Sequence, residues 1–209
     1  MSNHEIANPQ LGGVEVHGMT RASFILRGTL AAGAVYGLGS VAPFVSQAFA
    51  AGGGDAEILN FALTLEYLEA DFYTVKGRQV GLSGQARAYA SQFSAEESEH
   101  VTALTAAIKQ LGGTPVKKPT FVFPTSDEKS FLALASTLEN TGVGAYNGAG
   151  PSIKDKKVLA AAGSIVQIEA RHAAAIDLLI GKSPTPNQGF DRPIEQAKVL
   201  TAVKPLIKA

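Results

Sequence analysis

From residue 55 to residue 181 apolar side chains return every three or four positions, the period of a helix with one buried face. Ile58, Phe61, Leu65, Leu68 and Phe72 mark a first helix, capped by Asp55 and closed by Gly77 and Gly81. Tyr89, Phe93, Val101, Leu104 and Ile108 mark a second, running from Ser83-Gly84 to Leu111-Gly112-Gly113. Between Gly113 and Ser126 three prolines, Pro115, Pro119 and Pro124, surround Thr120-Phe121-Val122-Phe123, so this stretch is extended and reads as a crossover. Thr125-Ser126-Asp127-Glu128 has the Thr-x-x-Glu form of a capping box and opens a third helix, with Phe131, Leu134, Leu138 and Tyr146 on one side. It stops near Gly148-Ala149-Gly150-Pro151. A fourth helix runs from about Asp155 to Gly181 through Val158, Ile165, Ile168, Ile176 and Leu179. Beyond Pro184 and Pro186 a short amphipathic piece extends from Pro193 to about Val203. The pattern predicts an all-α fold of two antiparallel helical hairpins joined by a long crossover, a four-helix bundle with a short C-terminal helix.

Residues 1–50 break this pattern. A polar stretch to Ser23 carries Arg21, Arg27 follows, and from Gly28 to Ala50 no residue is charged. The run ends in Ala48-Phe49-Ala50, a small-x-small cleavage signal, and reads as an export segment. Thr20-Arg21-Ala22-Ser23-Phe24-Ile25-Leu26 resembles the twin-arginine export motif, with Ala22 where that motif has its second arginine, so the route is Tat-like or Sec. An uncleaved membrane anchor is the rival reading, weakened by Gly33, Gly37, Gly39 and Pro43. Three segments are expected: an export signal over 1–50, a bundle over 51–181 and a C-terminal extension over 182–209.

Composition narrows the chemistry. Lys+Arg and Asp+Glu number 18 each, which leaves no basic field to hold a phosphate backbone and excludes nucleic acid as a partner. The chain has no cysteine, so a metal site would rest on His and carboxylate alone. Of its four histidines, His4 and His17 lie in the segment expected to be removed. The other two, His100 and His172, are each preceded three residues earlier by a glutamate, in Glu97-Ser98-Glu99-His100 and Glu169-Ala170-Arg171-His172. A Glu-x-x-His pair sits one helical turn apart and points one way. The other two helices carry carboxylates in apolar settings, Glu66 and Glu69 on the first and an isolated Glu139 on the third. Charges are rarely buried without a partner, and a pair of divalent cations would let several carboxylates share a bundle core. Counted from the turn between the first two helices, Glu66 and Glu97 stand level at a rise of about 1.5 Å per residue. Glu139 and Glu169 match only with an asymmetric loop.

These residues resemble the ferritin-like di-iron carboxylate superfamily, whose site takes one Glu from each of two helices and a Glu-x-x-His from each of the other two. Glu96-Glu97-Ser98-Glu99-His100 is similar to the second-helix signature of ferritins, and Leu65-Glu66 with Tyr73 resembles their first helix. The string from Asn60 to Ala70 and Glu169-Ala170-Arg171-His172 look like secreted bacterial ferritin-like proteins related to desiccation-related proteins. The resemblance implies metal ligation by Glu66, Glu97, His100, Glu139, Glu169 and His172. Periodicity alone would choose Glu69 over Glu66 on the first helix, whereas the family match and the Tyr73 offset choose Glu66. Glu96 and Glu99 read as solvated helix-face charges. Tyr73 and Tyr146, each seven residues past a proposed ligand, read as core aromatics or as hydrogen-bond partners of the cluster beside Glu69. Gly142 and Gly144, inside the third helix, imply either close packing around the cluster or a kink.

A Glu4His2 set of hard oxygens and imidazoles suits two iron ions, with manganese an acceptable substitute. The expectation is an exported di-metal protein that oxidises ferrous iron or consumes peroxide, with dioxygen or peroxide as co-substrate and a small homo-oligomer as the assembly. The competing expectation is a metal-binding or stress-protective bundle without turnover. A cage-type iron store is disfavoured by the 17% charged fraction and the absence of a clustered acidic face.

Overall fold

A computed structural model describes residues 15–16, 19–20 and 54–208. The N-terminal unit, Met1–Val41, contains a short antiparallel pairing of β1 (Glu15–Val16) with β2 (Met19–Thr20). Apart from residues 15–16 and 19–20, the export segment expected over residues 1–50 lies outside the described residues. No helix among the described residues is long and apolar enough to cross a membrane.

The second unit, Ala42–Ala209, holds among its described residues five helices: α1 (Asp55–Asp71), α2 (Gly84–Gln110), α3 (Glu128–Ala149), α4 (Lys156–Leu179) and α5 (Gln196–Val203). α1 continues through a π-helical turn, Phe72–Lys76, into a last turn at Gly77–Gln79. α1 packs chiefly on α2 and α3 on α4, which makes the two hairpins of the expected bundle. A stacked and edge-on aromatic group of Phe72, Tyr73, Phe93, Phe123 and Phe131 fills one end of the core between them.

The helix ends follow local chemistry. At Gly112 (φ +75°) and Gly181 (φ +76°) the chain enters the left-handed region that glycine adopts without a Cβ penalty. Gly113 N–H bonds Ile108 C=O and Lys182 N–H bonds Asp177 C=O, so both helices close with the same reverse turn. The start of α3 departs from expectation. Asp127, not Thr125, is the cap: its carboxylate accepts from Ser130 N–H at 2.7 Å, and Ser130 Oγ accepts from Asp127 N–H at 3.1 Å. Glu128 is unavailable as the box partner because it accepts from Ser83 N–H and Ser83 Oγ at the start of α2. Asp55 likewise does not cap its own helix. It is buried and accepts from the Lys154 and Asp155 N–H groups at 3.0 and 2.9 Å, tying the start of α1 to the entry of α4.

The segment after α4 returns to the bundle. Ile194 N–H donates to Gly144 C=O at 2.8 Å, and a Cβ at Gly144 or Gly148 would collide with Ile194. Gly144 and Gly148 thus open α3 to this strap, while Gly142 faces the core. Further on, Phe121 of the crossover pairs with Ile207, with Val122 N–H bonding Leu206 C=O and Lys208 N–H bonding Thr120 C=O.

Candidate metal centre

Each of the four long helices turns acid or imidazole inward at mid-length. Glu66, Glu97, Glu139 and Glu169 are fully buried, and His100 and His172 nearly so. The asymmetric loop required for the second hairpin is there: α3 ends in a 3-10 turn, Gly150–Ser152, three residues before Asp155 caps α4.

The six side chains form two four-residue groups with two members in common. Glu66, Glu97, His100 and Glu169 offer donor atoms within 4.8 Å of one another, as do Glu97, Glu139, Glu169 and His172. His100 Nδ1 lies 3.1 Å from Glu66 Oε2 and from Glu97 Oε2, and 3.0 Å from Glu169 Oε1. An imidazole nitrogen has a single in-plane proton or lone pair, so it cannot hydrogen-bond all three. His172 Nδ1 lies 2.9 Å from Glu97 Oε1 and 3.5 Å from Glu139 Oε2. Buried and without hydrogen-bond partners are His172 Nδ1, Glu97 Oε1, Glu139 Oε2 and both carboxylate oxygens of Glu169. Orphaned buried polar atoms are costly and rare. Donors about 3 Å apart have the spacing of neighbouring ligands around an ion that each touches at about 2.1 Å. The donor set therefore fits a pair of divalent cations, with Glu97 and Glu169 common to both positions.

A ring of outer groups holds these side chains. Tyr73 donates to Glu139 Oε1 at 2.5 Å, and Tyr146 donates to Glu66 Oε1. His172 stacks on Phe93 with ring centroids 3.9 Å apart, and its Nε2 lies 2.6 Å from Glu96 Oε2. Glu96 is thus not a solvated face charge; it is half-withdrawn from solvent and engaged with His172 of α4. Nothing in its own neighbourhood of glutamates signals this, because the partner is 76 residues away. Glu99 is exposed, as expected. Glu69 is buried beside the centre but belongs to neither four-residue group, so it is Glu66 that reaches Glu97, His100 and Glu169.

Without metal, the electrostatics are those of carboxylates competing for protons. Burial raises Glu66 to about 7, and burial with neighbouring carboxylates raises Glu69, Glu139 and Glu169. Glu97 is the exception: burial opposes its charge, but contacts to His100 and His172 hold it below the usual carboxylate range. Burial works against charge on the histidines too, yet contacts with Glu139, Glu96 and Glu97 carry His172 up to about 12, and Glu66 and Glu169 raise His100. Burial also pushes both tyrosines up, so they remain donors.

The chain belongs to the ferritin-like domain family, which it matches over residues 54–182. Among solved structures it is similar to a ferritin-like, diiron-carboxylate protein from Bacillus anthracis str. Ames, with 24% identity and a TM-score of 0.55 over 61% of this chain and 95% of that one. At that identity the likeness is one of fold. No curated protein matches the chain.

Proposed function

We propose that this protein binds two iron or manganese ions and oxidises ferrous iron or consumes peroxide outside the cytoplasm. The observation that carries the proposal is the pair of four-donor groups sharing Glu97 and Glu169. Two redox-active ions at such a site supply two electrons together, which matches the reduction of peroxide to water. In this reading Glu97 and Glu169 each serve both ions, Glu66 with His100 completes one position, and Glu139 with His172 completes the other. Tyr73 and Tyr146 orient Glu139 and Glu66, and Glu96 fixes the His172 ring so that Nδ1 presents its lone pair inward. The name of the structural neighbour, a diiron-carboxylate protein, agrees with this assignment. Export rests on the uncharged run to Ala48-Phe49-Ala50 and on the likeness to secreted desiccation-related proteins.

Elemental analysis of protein purified from its native compartment tests the metal pair, with two ions per chain expected. Stopped-flow mixing of the metal-free protein with ferrous iron, then dioxygen or peroxide, reads turnover as ferric absorbance and oxidant loss. Protein that takes up no metal, or a His100→Ala/His172→Ala variant that oxidises iron as fast as wild type, would overturn the proposal. N-terminal sequencing of exported material should give a start at or near Ala51.

A further inference from the structure

Tyr73 and Tyr146 stand at opposite ends of the centre, and the two ends are filled differently. α3 runs antiparallel to α1, since the entry of α4, which follows α3, is bonded to Asp55 at the start of α1. Tyr73 lies toward the end of α1, where Phe72, Phe93 and Phe131 pack edge-on against its ring. Tyr146 lies toward the start of α1, where the hairpins meet through small side chains. Ile58, Ala62 and Leu65, on one stripe of α1, and Ala145 and Ala149, one turn apart on α3, bound a cleft between the two helices. Ile58 and Ala149 are half-buried, so the cleft opens to solvent on their side. Tyr146 also lines it, and its hydroxyl is bonded to Glu66, so the cleft comes within one side chain of the centre.

The cleft has a volume of about 10 Å³, room for one molecule of roughly water's size. Water gains little there, because an enclosed water needs two to four hydrogen bonds. Among the described residues that line the cleft, Tyr146 has the sole polar side chain, and its hydroxyl already serves Glu66. Hydrogen peroxide would meet the same penalty of an unpartnered polar group, and a small apolar molecule would meet none. We propose that this cleft is a binding site for dioxygen, which it delivers past Tyr146 to the centre. Polar species have a different approach: of the six donor side chains His100 is 10% exposed, and the others are at most 2% exposed. This inference rests on the two-ion reading and narrows it, giving dioxygen a route that peroxide does not share.

Dioxygen is paramagnetic and broadens the resonances of methyl groups it visits. In nuclear magnetic resonance of the metal-free full chain under dioxygen pressure, the methyls of Ala62, Leu65 and Ala145 should broaden more than those of Leu104 and Ile108, which are as deeply buried on α2 but do not line the cleft. Ala149→Leu, at the half-buried mouth, and Ala62→Leu, deeper in, should each remove that excess. After loading with iron, each variant should show a several-fold lower ratio of dioxygen-driven to peroxide-driven ferrous oxidation than wild type. Broadening no greater at the cleft than at Leu104 and Ile108 overturns the proposal, and so does a wild-type ratio in a folded Ala149→Leu or Ala62→Leu variant. Wild type that takes up no metal pair would instead overturn the two-ion reading, and delivery to the centre with it, while the broadening, read without metal, still decides whether the cleft binds dioxygen.

Discussion

Tyr73, at the end of α1, donates its hydroxyl to Glu139 Oε1 on α3 at 2.5 Å, and Tyr146 on α3 returns the same bond to Glu66 on α1. The two hairpins are thus laced across the centre by reciprocal tyrosine-carboxylate bonds. Removing either hydroxyl leaves a fully buried carboxylate oxygen without its donor, at a cost of about 1–3 kcal/mol. Tyr73→Phe and Tyr146→Phe should each lower the stability of the metal-free protein by that amount in urea unfolding with chelator present. A loss below about 0.5 kcal/mol would mean that the bonds only accompany the packing of the aromatic rings.

The two four-donor groups are chemically unequal. His172 Nε2 meets Glu96, the residue before Glu97, whereas the residue before Glu169 is Ile168, which has no acceptor to offer His100. A carboxylate behind a ligating imidazole fixes its tautomer and raises its basicity, and loss of such a partner typically weakens metal binding 10- to 100-fold. Glu96→Ala should weaken the position that contains His172 by about that factor and leave the other nearly unchanged. Crystals soaked with less than one equivalent of manganous ion should show density first beside His172 in wild type and first beside His100 in the variant.

The sequence made the bundle and the inward set of six residues readable for a definite reason: the helical period and the Glu-x-x-His spacing are local, and local spacing survives folding. What it hid depends on distant partners. Glu96 looks like one more charge in a glutamate-rich turn until α4 brings His172 beside it. The offset of seven places Tyr73 and Tyr146 on the face of the cluster, but which carboxylate each one bonds depends on the pairing of α1 with α3, whose relative register no periodicity encodes. Glu69 sits against the bare backbone of Gly142, where a Cβ would come within 3.2 Å of its Oε1. Thr125 and Asp55 do not act as caps for a similar reason, since Glu128 is bound to Ser83 and Asp55 serves the amides before α4.

The metal-free protein should lose stability as pH rises. Glu66 titrates near 7 in the folded chain against 4.5 for an ordinary glutamate, so the folded state holds a proton through that window which the unfolded state has lost. Raised Glu69, Glu139 and Glu169 act in the same direction. His172, near 12 against 6.5, contributes stability that is complete below pH 6.5 and is lost as pH climbs toward 12. The lowered carboxylates, Glu96 and Glu97, act oppositely but only below about pH 4.5. Chemical unfolding with chelator at pH 5, 7 and 9 should therefore give falling stabilities. Metal competes with the same protons, so the increment that metal adds should grow over the same range. Stability that rises from pH 5 to 9 without metal would contradict these protonation states.

Glu139 offers the sharpest separation of a metal centre from a merely packed polar core. Its Oε1 is taken by Tyr73, while its Oε2 is buried without a hydrogen bond, 3.5 Å from His172 Nδ1. Glu139→Gln keeps the volume, and its carbonyl can still accept from Tyr73, but the charge that would face a cation is gone. The metal-free variant should be as stable as wild type or more so, because a buried carboxylate crowded by others has been neutralised. Metal that binds only the folded chain stabilises it by an amount growing with the logarithm of free metal above the dissociation constant, about 2.7 kcal/mol at a hundredfold excess. In the variant this increment should shrink at every metal concentration, as the position shared with His172 weakens. Thermal melts across a manganous ion series, paired with bound-metal analysis, read both quantities. Unchanged metal content together with an unchanged increment would remove α3 from the centre and leave Glu139 as a packing residue held by Tyr73.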